Sequence, residues 1–521
     1  MVAAWSSAWG LVAVLPLLLA VVWAVRTLNW AWRTPRRLER TLRAQGIKGT
    51  PFRLPYGDLK LNARLLREAH AKPMPFSHDI LPRIQPLLHR AMLEYGKISF
   101  TWFGPVPRVV IMDHELAKEA LTRYTNFERA TPNPLFNFFL RGVVGYDGEK
   151  WVKHRKILNP AFHMEKLKGM LPAFSSCCSE LMDRWEGMVG TDGCSEIDVW
   201  PDLQAFTGNV ISRAAFGSRY EDGRRIFQLQ TQQAQIIVET SHTLLVPGYK
   251  FLPTAMNKRI KRIDKEIRAI LGSIIKTREE DMKAGKANNN DLLGLLMESN
   301  MKHSQEHGNK NTGLTTEEVM EECKLFYFAG QETTSVLLTW TLVLLSMHPN
   351  WQDRAREEVL AAFGKNKIPD FDSFSHLRIV TMILHEVLRL YPPATNSIQR
   401  QTHKTVKLGD VVYPSGVLIA FPIVFIHHHP DLWGKDASEF NPERFAGGVS
   451  NASKHKNVFF PFGYGPRICI GQNFAMLEAK MALCMILQRF SFELPPSYAH
   501  APYTVLTLQP QHGAQIMLSR L

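Results

Sequence analysis

The first 25 residues carry no charged side chain, and residues 8–25, AWGLVAVLPLLLAVVWAV, are almost wholly apolar. As a helix at 1.5 Å per residue that run is about 27 Å long, nearly the hydrocarbon thickness of a bilayer. Beyond it the chain reads mainly helical. Strand-like stretches bounded by turn residues predict hairpins at 98–112, around Gly104-Pro105, and at 406–420, with Gly409-Asp410 and Pro414-Ser415-Gly416 as the turns. Polar stretches at 288–290 and 299–313 read as surface loop. Most of the chain from residue 60 onward is therefore expected to form one large, mainly α domain with a small β portion, although 521 residues alone favour about three domains.

The segment from Thr315 is the most informative helix. Thr315 and Glu318 form a capping box, and the pattern runs to Met347 before His348-Pro349 stops it. Its charge-free part after Glu332 is about 15 residues, too short for a membrane span near 20, so a helix buried in a large core is expected. Within it, Ala329-Gly330-Gln331-Glu332-Thr333-Thr334 interrupts the apolar pattern with a glycine and polar groups. Such local conflicts are where functional sites are found.

Composition changes the picture modestly. Hydrophobic residues at 45% and charged residues at 21% exclude a disordered or low-complexity chain. The six cysteines, at 177, 178, 194, 323, 469 and 484, include no C-x-x-C pair, which excludes a disulfide scaffold and argues against structural zinc. The net charge of +14 points to an anionic partner. Part of it follows the apolar run directly, at Arg26, Arg33, Arg36, Arg37, Arg40 and Arg43, with Trp23, Trp30 and Trp32 at interfacial positions. A cleaved signal peptide would carry its charge before the apolar run instead. These features predict an uncleaved transmembrane anchor at 1–25, a basic juxtamembrane linker at 26–59 and a cytosolic domain at 60–521. On that topology the sequon at Asn451 stays unglycosylated, and no motif supports nucleic-acid binding.

Cys469 is unlike the other cysteines. It lies in Phe462-Gly463-Tyr464-Gly465-Pro466-Arg467-Ile468-Cys469-Ile470-Gly471, at the entrance of a helix predicted over 472–490. A helix N-terminus and a neighbouring arginine favour a thiolate, the form needed by a metal ligand or a nucleophile. A buried structural role is the ordinary fate of a free cysteine and is expected for Cys323 and Cys484.

The segment resembles the haem-thiolate signature F-x-x-G-x-R-x-C-x-G of the cytochrome P-450 superfamily at every fixed position. A-G-x-E-T from Ala329 to Thr333, E-x-x-R at Glu386 and Arg389, P-E-R-F from Pro442 to Phe445 and W-x-x-x-R at Trp151 and Arg155 occur in the family's order. LFYFAGQETTSVLL and FFPFGYGPRICIGQNFAMLEAKMAL are similar to the plant subfamily that contains secologanin synthase. The proline-rich hinge common after the anchor in microsomal members is reduced to Pro35, Pro51 and Pro55.

The resemblance implies the cytochrome P-450 fold behind a single N-terminal transmembrane helix, and haem b with Cys469 as its iron ligand. It assigns Trp151, Arg155, Arg400 and Arg467 to the haem propionates, the arginines through charge-assisted bonds, and Phe462 to haem binding as well. A surface position is the alternative for Arg400. Lys153 to Lys156 would be either a solvated helix face or a docking site for an acidic electron donor. Glu332 and Thr333 would relay protons on the distal side, against a helix-internal bond for Thr333. Glu386, Arg389 and Arg444 would form a buried charge network serving the fold.

Activity implied by the resemblance is monooxygenation of a hydrophobic small molecule, a terpenoid first, with NADPH electrons from a separate reductase at the endoplasmic reticulum. A haem-thiolate isomerase or dehydratase and a non-catalytic haem protein are the alternatives; intact Glu332-Thr333 argues against the first. Phe127, Phe136, Phe138 and Phe139 read as core, with Phe138 a candidate substrate contact. The triple histidine His427-His428-His429 is expected in a loop or at a strand end, without metal.

Overall fold

The computed structural model describes residues 17–521 except 131–134, 140, 192, 218–219, 242–247, 287–290, 307–312 and 396–397. Residues 17–28 are helical, with Leu17, Leu19, Val25 and Leu28 exposed. The earlier part of the expected anchor lies outside the described residues, and among those described no helix is long and apolar enough to cross a membrane. The following helix, Thr34–Ala44, buries Leu38 and Leu42, and Lys48–Gly49 pairs parallel with Ile98–Phe103. This basic stretch therefore packs onto the body.

Six helices frame the interior: α1 (Gly148–Leu158), α2 (Leu171–Val189), α3 (Val199–Phe216), α4 (Thr316–Met347), α5 (Arg378–Leu390) and α6 (Gln472–Arg489). Helix α4 begins at the expected capping box: Thr315 Oγ1 accepts from Glu318 N, and the Glu318 carboxylate accepts from Thr315 N. It crosses the core against α3, α5 and α6. Leu337, Leu338, Leu342, Val343, Leu344 and Leu345 are enclosed, each stabilising the fold by roughly 1.5–3 kcal/mol relative to exposure.

Among the described residues the largest sheet has six strands in the order Lys48–Gly49, Ile98–Phe103, Val106–Ile111, Leu418–Phe421, Ile398–Gln401, Glu128–Arg129. The first expected hairpin is its second and third strands. The second is shorter than expected: Val406–Leu408 pairs with Val411–Tyr413, while Leu418–Phe421, apolar throughout and buried, leaves to join the large sheet. A two-stranded sheet, Pro502–Thr504 with Leu508–Pro510, lies near the C-terminus.

The polar stretch expected as loop at 299–313 is helical up to residue 306, as part of Leu292–Glu306. Buried Leu292, Leu293, Leu295 and Leu296 start that helix, and Ser299 Oγ bonds Ile157 O at 2.7 Å, so its polar end continues along an anchored face.

The charge network forms as expected. Arg389 donates from Nε and Nη2 to the two Glu386 oxygens, both at 2.7 Å, and Arg444 Nε reaches Glu386 at 3.1 Å. Arg389 Nη1 also bonds His427 O and Ala437 O at 2.9 and 2.7 Å. The triple histidine is only partly loop: His428 and His429 follow the helix outside any strand, as expected, but His427 does not. His427 closes a short buried helix, Ile423–His427, and its Nε2 accepts from Phe460 N at 3.2 Å, while His428 bonds Leu390 O. Burial and the Arg389 charge push His428 down to about 3, so the ring is neutral. Glu386, Arg389, His427 and Phe460 make a continuous tie to the segment carrying Cys469.

Candidate active site

Helix α4 is buried along most of its length, but Phe328, Ala329, Gly330, Gln331 and Thr333 are only partly covered. The uncovered turn coincides with the polar interruption in the sequence. Helix α3 lies flush against its other side: a Cβ at Gly330 would come within 2.6 Å of Ile211 Cδ1, closer than carbon atoms can pack. Thr333 Oγ1 donates to Ala329 O at 2.7 Å, the helix-internal bond open to a threonine there. Glu332 is buried, accepting from Thr507 Oγ1 at 2.6 Å and Gln509 Nε2 at 2.5 Å.

The second uncovered surface is the Cys469 loop. Cys469 N donates to Phe462 O at 2.8 Å, and Gly465 takes a positive φ of 74°. A side chain at Gly465 would also meet Leu121 O at 2.9 Å, so the loop there needs glycine. Cys469 is solvent-accessible, yet protein crowds it enough for burial to raise its thiol. The Gly471 N–H and the Arg155 charge oppose that rise. The helix entrance thus favours a thiolate as the sequence implied, but burial outweighs it until a cation binds the sulfur. Phe162 links the two surfaces, with its ring 5.6 Å from that of Phe326 on α4 and near Gly471.

Arginines gather at one side. Arg467 pairs with Asp147 and donates to Tyr146 O at 2.9 Å, with its guanidinium 4.6 Å over the Trp151 ring. Arg400 is buried, not at the surface, and strand register sets it opposite Arg129. Burial, with repulsion from Arg129 and Arg467, pulls Arg400 down to about 9, and burial with repulsion from Arg467 pulls Arg129 to about 10. Nε of both Arg400 and Arg467 is buried without a partner. Arg155 donates to Ile468 O at 2.9 Å, beside the thiol. Phe462 lines the loop, partly covered. Phe127 and Phe139 are core, as expected, and Phe139, not Phe138, packs on the uncovered turn, 4.5 Å from Phe328.

A lone cysteine in a glycine-rich loop, an interrupted buried helix and an arginine cluster, combined in one chain, have a counterpart in known proteins. The sequence pattern described as "Cytochrome P450" matches residues 82–516. The chain belongs to the cytochrome P450 family. It is 60% identical over 505 residues to cytochrome P450 CYP72A616 of Paris polyphylla, covering 96% of this chain and 97% of that protein. It is 49% identical over 506 residues to secologanin synthase 1 of Catharanthus roseus, covering 96% of each. A solved structure titled retinoic acid bound cyanobacterial CYP120A1 shares the fold, with a TM-score of 0.74 at 23% identity, covering 91% of this chain and 99% of that one. The protein is a cytochrome P450 monooxygenase.

Family membership implies haem, and the arginine cluster fits it. Three cations, Arg129, Arg400 and Arg467, face one bonded carboxylate, Asp147, leaving two positive charges uncompensated. Glu128 lies half-exposed against His403. Haem carries two propionates, and the unpartnered Nε atoms are the donors such carboxylates require. Arg129 has no motif to mark it in the sequence; only the pairing of its strand with that of Arg400 reveals it.

Proposed function

We propose that this monooxygenase oxidises a terpenoid, taking electrons from NADPH through a separate reductase at the endoplasmic reticulum membrane, with its body, residues 60–521, in the cytosol. The observation that carries the substrate class is the 49% identity, over nearly the whole chain, to an enzyme named for making secologanin, a terpenoid. Haem with a thiolate ligand supplies oxygen activation. Cys469 would provide the thiolate. Arg129, Arg155, Arg400 and Arg467, with Trp151 beneath Arg467, would hold the propionates, and Arg155 would also stiffen the loop through Ile468 O. Phe462 would help shape the wall around the thiolate.

Glu332 and Thr333 would relay protons on the distal side. Their side chains leave the helix about 100° apart, so Thr333 can reach the uncovered face while Glu332 is held buried. Thr333 gives up its bond to Ala329 O when it donates inward. The test is reconstitution with a plant reductase and a terpenoid panel. A terpenoid should induce a type I binding shift and NADPH-dependent product, and its failure across that panel, against turnover of fatty acids, would overturn the substrate class. With that terpenoid, Thr333→Ala is expected to keep NADPH oxidation while product per NADPH falls roughly 10- to 100-fold, at or below the usual contribution of a positioned proton donor. Unchanged coupling would remove Thr333 from the relay.

Support for the anchor is the apolar run followed by arginines and the exposed apolar helix over residues 17–28. Deleting residues 1–25 should release most of the protein from the membrane fraction, and complete retention would contradict a single anchor.

A further inference from the structure

Glu332 is tied at both oxygens. Oε1 accepts from Thr507 Oγ1 and Gln509 Nε2, and Oε2 lies 3.5 Å from Gln204 Nε2. Thr507 and Gln509 belong to the C-terminal hairpin of Pro502–Thr504 and Leu508–Pro510. That hairpin is fastened by bonds that do not involve Glu332. Trp340 Nε1 donates to Leu508 O at 2.7 Å, Leu508 N donates to Pro393 O at 3.0 Å, and the Thr395 and Thr504 hydroxyls meet at 2.9 Å.

Gln204 comes from α3, which grips the same turn of α4. Thr207 Oγ1 donates to Gln331 O at 2.9 Å, and Gln331 Nε2 donates to Gln204 O at 3.3 Å. The carboxylate therefore sits between two elements, each anchored to α4 independently. Tyr503 of the hairpin feels its charge, which adds to burial in raising the phenol. Val505 and Leu506, at the hairpin tip beside Thr507, are only partly covered.

A carboxylate with separately anchored donors on either side has few rotamers open to it, so those donors set the direction from which it can exchange a proton. We propose that Thr507 and Gln509 are positioning residues of the proton relay, holding Glu332 in the orientation from which it serves Thr333 and tying proton supply to the placement of the 502–510 hairpin. This rests on the reading of Glu332 and Thr333 as the relay. It makes the hairpin part of the proton machinery.

The test uses carbon monoxide as the probe on the full-length, haem-loaded protein, because its C–O stretching band senses charge and hydrogen bonding on the distal side. Thr507→Val and Gln509→Leu should each shift or split the band, and Thr507→Ser should restore the wild-type band because it keeps the hydroxyl. In a Glu332→Leu background, which removes the acceptor, Thr507→Val should add no further change, since Thr507 acts through Glu332. Should Thr507→Val fold poorly, Gln509→Leu carries the same test.

Amide hydrogen exchange of the peptide covering 502–510 should quicken in Glu332→Leu, as the tie is lost from the other end. If Glu332→Gln shifts the C–O band while Thr507→Val and Gln509→Leu leave it unchanged, the positioning proposal fails and the relay stands. A band unmoved by Glu332→Gln itself overturns the relay reading and the proposal with it. Full additivity of Thr507→Val and Glu332→Leu would also overturn the proposal, showing that Thr507 acts on its own.

Discussion

Glu386→Ala is expected to yield little haem-loaded protein. The Glu386 carboxylate is fully buried and accepts from Arg389 twice, from Arg444 Nε and from Asn441 N at 2.9 Å. Removing it leaves two buried guanidiniums without their shared counter-charge. Breaking one partner of a buried pair costs about 3–5 kcal/mol, a large share of the roughly 5–15 kcal/mol that holds a domain folded. The damage would spread along the tie through Arg389, His427 O and Phe460 N to the Cys469 loop. Haem absorbance per mole of purified chain, with the yield of soluble protein, measures the outcome. Fully loaded and stable Glu386→Ala protein would contradict the structural assignment of this network.

The parts of the fold set by local rules were legible in the sequence. Thr315 and Glu318 announced the start of α4 and His348-Pro349 its end, because caps and proline act within a few residues. The Cys469 loop was legible for a similar reason, since its glycines and helix entrance are contiguous. What the sequence concealed depends on long-range pairing. Arg129 becomes a neighbour of Arg400 only through strands 271 residues apart, from the difference of 400 and 129.

Thr507 and Gln509 reach Glu332 from the far end of the chain, and no spacing rule joins them. The polar run after Ser299 misled because its helix is nucleated by the leucines before it. Likewise His427 and His428 carry no local signal of burial. Their environment comes from Arg389 and Phe460, brought in from two other segments.

Cys469→Ser is expected to abolish the thiolate signature outright, since a serine hydroxyl titrates far above the cysteine range and is a poor donor to iron. The loop itself should survive: its geometry is fixed by Cys469 N to Phe462 O, by glycine at 465 and by Arg155 to Ile468 O, none of which needs the sulfur. Serine therefore tests ligation with little disturbance of the scaffold. Any haem retained by the variant should be held by contacts other than the sulfur, the arginine cluster among them, and should support no monooxygenation.

The most direct measurement is the carbon monoxide difference spectrum of the reduced full-length protein beside Cys469→Ser. The far-red-shifted Soret band of a thiolate-ligated haem should be present in the wild type and lost in the variant. Its absence from folded, haem-loaded wild type, or its persistence in Cys469→Ser, would contradict the assignment of Cys469 as the ligand on which the whole site is built.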